Sequence, residues 1–102
     1  MWYANALGFS ERIGGIIFVG AFSPDQQIAD RVDEGNIVTL QKGDKKNPDK
    51  IIVKETKFEG AGFTGVICGF EPPVSEFEGM KIGDEISFQD YHVFCCKVYA
   101  PR

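Results

Sequence analysis

Residues 91–99 read Tyr-His-Val-Phe-Cys-Cys-Lys-Val-Tyr. The run is short, rich in β-branched and aromatic residues, and apolar at odd and even positions alike. A strand covered on both faces reads this way, so Tyr91–Tyr99 is expected to be extended and to lie inside a sheet. Gln89-Asp90 interrupts the chain just before it. Ahead of that break, Gly83-Asp84 forms a tight turn, and Ile86 and Phe88 alternate inward on the strand it feeds. Glu71-Pro72-Pro73-Val74-Ser75 lacks two backbone donors and is excluded from a central strand. Phe63–Phe70, before the prolines, is apolar and extended, and Gly60-Ala61-Gly62 separates it from what precedes.

Further out, Asn36–Gln41 and Ile51–Phe58 read as the two arms of a hairpin. Gly43–Lys50 (Gly-Asp-Lys-Lys-Asn-Pro-Asp-Lys) is the solvated turn between them. Ser23-Pro24-Asp25-Gln26 has the composition of a helix start, with a capping Ser, Pro in the first position and Gln three residues on. Ile28, Ala29 and Val32 then share a face, and Gly35 is the stop, so one short helix is expected over about 24–34. Ile13–Phe22 reads as a buried strand. The sum is an α+β, mostly β chain. About six strands form a small barrel-like or strongly bent antiparallel sheet, with one short helix, in a single domain over 1–102.

The chain has nine Phe, three Tyr and one Trp, which supply much of a modest core. Its formal charge is −4, without the basic footprint that draws a protein to nucleic acid or anionic lipid. The charge is unevenly placed. Residues 42–57 carry six lysines against three acids, and residues 71–90 carry six acids against Lys81. The apolar run at Ile13–Phe22 is too short to span a bilayer. The opening Met-Trp-Tyr-Ala-Asn lacks the basic and apolar regions of a secretory leader. Three cysteines, two of them adjacent, make a poor disulfide framework. A soluble chain in a reducing, cytoplasmic compartment is therefore expected.

Few side chains suggest chemistry. His92 is the only histidine. If the chain is extended from Tyr91 onward, His92 and Cys96 share a face but stand about 13 Å apart, and Cys95 points the other way. That spacing argues against a Cys-His dyad and for a structural histidine. Cys68, His92, Cys95 and Cys96 lack the two-residue spacing by which paired sulfurs converge on zinc. No phosphate-loop or dinucleotide fingerprint is present. No catalytic residue, metal site or cofactor is expected.

Phe63-Thr64-Gly65-Val66-Ile67, then Glu71-Pro72-Pro73, then Met80-Lys81-Ile82-Gly83-Asp84-Glu85-Ile86-Ser87-Phe88 form an ordered set, with His92 shortly after. This third of the chain, Phe63 to Phe94, resembles a family of small bacterial proteins of unknown function. That family pairs a Gly-rich strand and an acidic-Pro connection with a Met/Leu-Lys-x-Gly-Asp-x-Ile/Val-x-Phe turn and strand. The resemblance implies an α+β, barrel-like architecture and carries no activity and no catalytic residue.

Three readings follow. The first is a small non-catalytic binding module that acts by protein–protein contact, of an inhibitor or immunity (anti-defence) type, bacterial or phage-borne. Its contact residues would come from Glu71, Glu76, Glu78, Asp84, Glu85, Trp2 and His92. The second is a nucleic-acid-binding barrel that uses Lys42, Lys45, Lys46, Lys50, Lys54 and Lys57, with Phe58 and Phe63 nearby. The third is a ligand-binding or hydrolase barrel with His92 and Asp84 or Glu85 near a pocket. The partner expected is a protein, nucleic acid is the lesser alternative, and no membrane is involved.

Overall fold

The computed structural model describes residues 1–13, 26–28, 32–44 and 46–99. Apart from one 3-10 turn, its regular structure is all strand among the described residues: β1 (Trp2–Tyr3), β2 (Gln26–Ile28), β3 (Ile37–Lys42), β4 (Asp49–Glu59), β5 (Gly62–Glu71), β6 (Glu76–Phe77), β7 (Met80–Lys81), β8 (Glu85–Phe88) and β9 (Val93–Tyr99). Seven of them form one sheet in the order β1-β8-β5-β4-β3-β9-β2, and β6 and β7 form a separate two-stranded ribbon. All neighbours are antiparallel except β1 and β8, which run parallel with Trp2 opposite Ile86.

The strands expected at Asn36–Gln41, Ile51–Phe58, Phe63–Phe70 and after Gly83-Asp84 are present as β3, β4, β5 and β8. β9 lies between β3 and β2, inside the sheet. Its start differs from expectation. Asp90–His92 is a single 3-10 turn, and the extended chain begins at Val93. Local hydrogen bonds decide this: the Gln89 N–H donates to His92 Nδ1 at 2.9 Å, and the His92 N–H donates to the Gln89 carbonyl at 3.0 Å.

The helix expected over 24–34 is not formed where the chain is described. Gln26–Ile28 is extended and pairs with Lys97–Tyr99, and Glu34-Gly35 is a turn. Residues 24–25 and 29–31 of that helix lie outside the described residues, as do residues 14–22 of the strand expected at Ile13–Phe22. Capping signals over about ten residues carry little free energy by themselves, and pairing against an open edge of β9 outweighs them. The sheet is also not a closed barrel. Its end strands, β1 and β2, do not pair with each other among the described residues, and it is mixed rather than purely antiparallel.

Three register shifts interrupt the ladders. Ile52 faces Gly69 while Val53 faces Ile67, so Cys68 is the extra residue on β5. Thr39 faces Cys95 while Leu40 faces Val93, so Phe94 is extra on β9. Lys54 faces Val66 while Lys57 faces Thr64, which leaves Glu55 and Thr56 opposite Gly65 alone. Each extra residue reverses the inside–outside alternation of its strand and sharpens the local twist. Thus Ile51 and Val53 point inward before the third bulge, and Thr56 does so within it. Glu55 takes the left-handed conformation this bulge needs, with φ 55°.

The β4–β5 hairpin closes at Gly60-Ala61, with Glu59 opposite Gly62. Gly60, at φ 59°, fills the first central position, where primed hairpin turns require a left-handed residue. The core draws Val38 and Leu40 from β3, Ile51 and Val53 from β4, and Phe63, Ile67 and Phe70 from β5. Met80 comes from β7, Ile86 and Phe88 from β8, Val93 and Cys96 from β9, and Ala4 and Phe9 from the N-terminal turn. Phe58, Phe63 and Phe88 form a cross-strand row with ring centroids 5.4 and 5.7 Å apart.

Gly65 is the tightest point of this packing. A Cβ there would lie 2.4 Å from Val53 Cγ1 and 2.9 Å from the Lys54 carbonyl oxygen. At Gly69 the nearest atom to a Cβ is Ile52 Cδ1 at 3.6 Å, an ordinary contact. Gly65→Ala is therefore expected to destabilise the fold by about 1–3 kcal/mol, and Gly69→Ala by well under ~1 kcal/mol. Urea unfolding midpoints of the two variants, compared with the parent, check the contrast.

Candidate functional site

The residues expected to make a site are distributed by the sheet in three groups. The first group surrounds an open hollow of about 530 Å³ lined by Met1, Trp2, Gly83, Asp84 and Glu85. The parallel pairing of β1 on β8 sets Trp2 beside Ile86, and the indole lies over Gly79. Gly79 has φ 92°, and a Cβ there would approach Trp2 Cη2 to 3.2 Å, so the glycine both makes the β6–β7 turn and leaves room for the ring.

Asp84 is held by the turn that precedes β8. Its N–H donates to the Lys81 carbonyl at 3.0 Å, and its Oδ2 accepts the Lys81 N–H at 3.0 Å. The Gly83 N–H donates to the Ile67 carbonyl at 2.8 Å, and the Ile67 N–H donates to the Asp84 carbonyl at 2.9 Å, which fastens the turn to β5. The Trp2 indole N–H donates to the same Oδ2 at 3.0 Å. This indole bond, then the Lys81 amide bond, hold the Asp84 carboxyl below its ordinary value of 3.8, because both favour the charged form. Asp84 itself is half-buried. Glu85 is exposed beside it. The hollow thus joins an aromatic wall, a carboxylate kept ionised and a second, solvated carboxylate.

The second group is the Lys-rich hairpin and the remaining acids. These meet each other across the fold. Lys42 is ion-paired with Glu78. Lys50 stands opposite Glu71, and Lys81 opposite Glu76. Lys54 and Lys57 are exposed on β4 and face Val66 and Thr64, whereas Phe58 faces Phe63 on the other side of the sheet. The aromatic rings and the lysines therefore do not make one strip. Lys46 is exposed on the loop, and Lys45 lies outside the described residues.

The third group is His92 and the cysteines. His92 is 1% exposed and does not line the hollow of Asp84 and Glu85. Its Nδ1 accepts a backbone N–H, and its Nε2 has no hydrogen-bond partner among the described residues. Burial holds its pKa below the ordinary 6.5, although the nearby Glu11 charge acts the other way. Cys96 is buried, and its S–H donates to Asn36 Oδ1 at 3.0 Å. Burial, then the neighbouring Cys95, push its pKa up to about 12, far from the thiolate a nucleophile needs. Cys68 and Cys95 are half-buried free thiols, and burial raises the Cys68 pKa. Among the described residues no three His, Cys, Asp or Glu side chains converge as metal ligands do, and no helix is long and apolar enough to cross a membrane.

Sequence reading singles out Trp2, Asp84 and Glu85, and the fold brings these three together. It misses Met1 and Gly79, because a two-residue parallel strand has no period to detect. It also misses Arg12 and Asn36. Arg12 donates from Nη1 to the carbonyls of Asp90 and Val93 and is ion-paired with Asp90. Asn36 is buried; its Oδ1 also accepts the Asp33 N–H, and its carbonyl accepts the Thr56 hydroxyl.

Comparison with protein-family models, with characterised proteins and with solved structures found no match in any of the three.

The Trp2–Asp84 bond yields a direct check. In Trp2→Phe the carboxylate loses its indole donor, so the Asp84 pKa is expected to rise toward 3.8. Carboxyl carbon shifts followed from pH 2 to 6 give the midpoint. An unchanged midpoint would show that the indole does not hold the charge.

Proposed function

We propose that this chain is a small, non-catalytic binding module of the cytoplasm that works by protein–protein contact. The hollow at Trp2, Asp84 and Glu85 is its point of engagement. One observation carries the reading: the hollow sets an indole against a carboxylate that hydrogen bonds keep ionised. A partner's Arg or Lys side chain is suited to such a place. Its charged head meets Asp84 Oδ1 and Glu85, and its aliphatic stem lies along Trp2 and the exposed Met1. Ile82, exposed at the adjoining turn, extends the apolar rim.

The net charge of −4 acts in the same sense, since it draws in a basic partner. An inhibitor or immunity-type role is the form of this reading that a small acidic chain suits best. The resemblance of Phe63–Phe94 to small bacterial proteins is compatible with it and adds no activity.

Trp2 is the only tryptophan, so its emission reports on the hollow directly. The test is a titration with an arginine-rich peptide and with an acidic peptide of equal length. The basic peptide is expected to change Trp2 emission, and the effect should weaken from roughly 0.05 to 0.5 M salt and in the Asp84→Asn/Glu85→Gln double variant. If neither peptide changes the emission, or both act alike, this site does not serve a basic partner.

A further inference from the structure

We propose that the Asp90–His92 turn is an acid-sensitive latch: protonation of the buried His92 imidazole opens the turn and loosens the Glu11–Ile13 strap that it holds. This is independent of the hollow.

The geometry fixes how the ring must sit. The Gln89 N–H points at Nδ1, 2.9 Å away, so Nδ1 is an acceptor and carries no proton. The ring is then the neutral tautomer with its proton on Nε2. That Nε2–H is buried and has no acceptor among the described residues. A second proton has only Nδ1 to go to. Once there, it faces the Gln89 N–H donor to donor, and a charge is left in a site that is 1% exposed.

The charged groups around the ring do little to accommodate it. Glu11, on the strap, favours the charged form. Arg12, also on the strap, brings a second positive charge to the same turn, and Asp90, in the turn itself, is already paired with it. Tyr91 contributes only its ring, 4.6 Å from the imidazole. The burial that lowers the His92 pKa supports the same direction.

The latch and the strap share their bonds. The Arg12 N–H donates to the Tyr91 carbonyl at 2.5 Å, and its guanidinium donates to the Asp90 carbonyl at 2.8 Å and the Val93 carbonyl at 2.5 Å. The Asp90 and Tyr91 carbonyls keep their positions only while the turn stays closed, whereas Val93 is held in β9 by its pairing with Leu40. Just ahead of the strap, the Ser10 N–H donates to the Gln41 carbonyl at 2.9 Å, and Phe9 is buried in the core. Opening the turn therefore loosens Glu11–Ile13, with Ser10 as the hinge.

The sign follows from the lowered pKa. The closed turn holds fewer protons than the open one between its own pKa and the ordinary 6.5, so its stability is full above about pH 6.5 and is lost as the pH falls.

Amide hydrogen exchange, corrected for intrinsic rates, tests this on the parent protein between about pH 7.5 and 5. Protection of Gln89 and Arg12 is expected to fall on the order of tenfold more than that of Ile67, whose amide is bonded outside the turn. His92→Asn keeps an acceptor near the Nδ1 position and removes the titration, so its protection should not change in this window. Protection of Gln89 and Arg12 that is independent of pH, or that falls in step with Ile67, overturns the latch. So does a variant that responds as the parent does. Imidazole nitrogen shifts of the parent give a readout that needs no variant. They must show an unprotonated Nδ1 at pH 7.5 and a transition whose midpoint matches that of Gln89 exchange, and a mismatch sinks the proposal.

Discussion

The long β4–β5 ladder can bury one face only because its bulges restore the phase that its length would otherwise lose. A strand side chain alternates with a period of two, and a coiled sheet does not present one flat inner face to ten residues in a row. Inserting Glu55 and Thr56 opposite Gly65 lets β4 turn Val53 inward before the bulge and Thr56 inward within it. Gly65 makes the insertion possible because the space for its side chain is already taken by Val53 and the Lys54 carbonyl. Asn36 then ties the bulge in place. It accepts the Thr56 hydroxyl on its carbonyl, and the Asp33 amide and Cys96 thiol on its side chain, which links the start of β3 to β4 and β9.

The same bulges set how much of the fold can be read from sequence. β3 and β8 contain no extra residue of their own, and their alternation at Val38/Leu40 and Ile86/Phe88 is plain. Where Cys68 and Phe94 are inserted, inward positions fall three apart, at Ile67 and Phe70 and at Val93 and Cys96. A pattern of that kind looks apolar on both faces, which is how Tyr91–Tyr99 reads. Its interior place in the sheet followed from that reading, but its turn at Asp90–His92 did not, because a side chain–backbone bond decides it. Gln26–Ile28 shows the opposite case. Local capping signals there are real, yet a three-residue pairing with β9 outweighs them.

The candidate site was legible as a set of residues but not as a place. Trp2, Asp84 and Glu85 stand out by type, and the Gly-Asp turn before β8 is plain in the chain. Their meeting depends on β1 lying parallel to β8, across more than eighty residues of sequence. Nothing in the period of a two-residue strand announces that. His92, in contrast, stood out as the sole histidine, and its surroundings make it part of the architecture. Its constraints are the amide that fills Nδ1 and the strap that Arg12 pins over its turn.

Lysines and acids that are segregated along the chain become interleaved in space, through Lys42 with Glu78, Lys50 opposite Glu71 and Lys81 opposite Glu76. Opposite charges this close largely cancel beyond about one Debye length, roughly 8–10 Å in ordinary salt. From afar these three pairs add little to the field of the molecule. They act on an approaching molecule only over the last few ångströms.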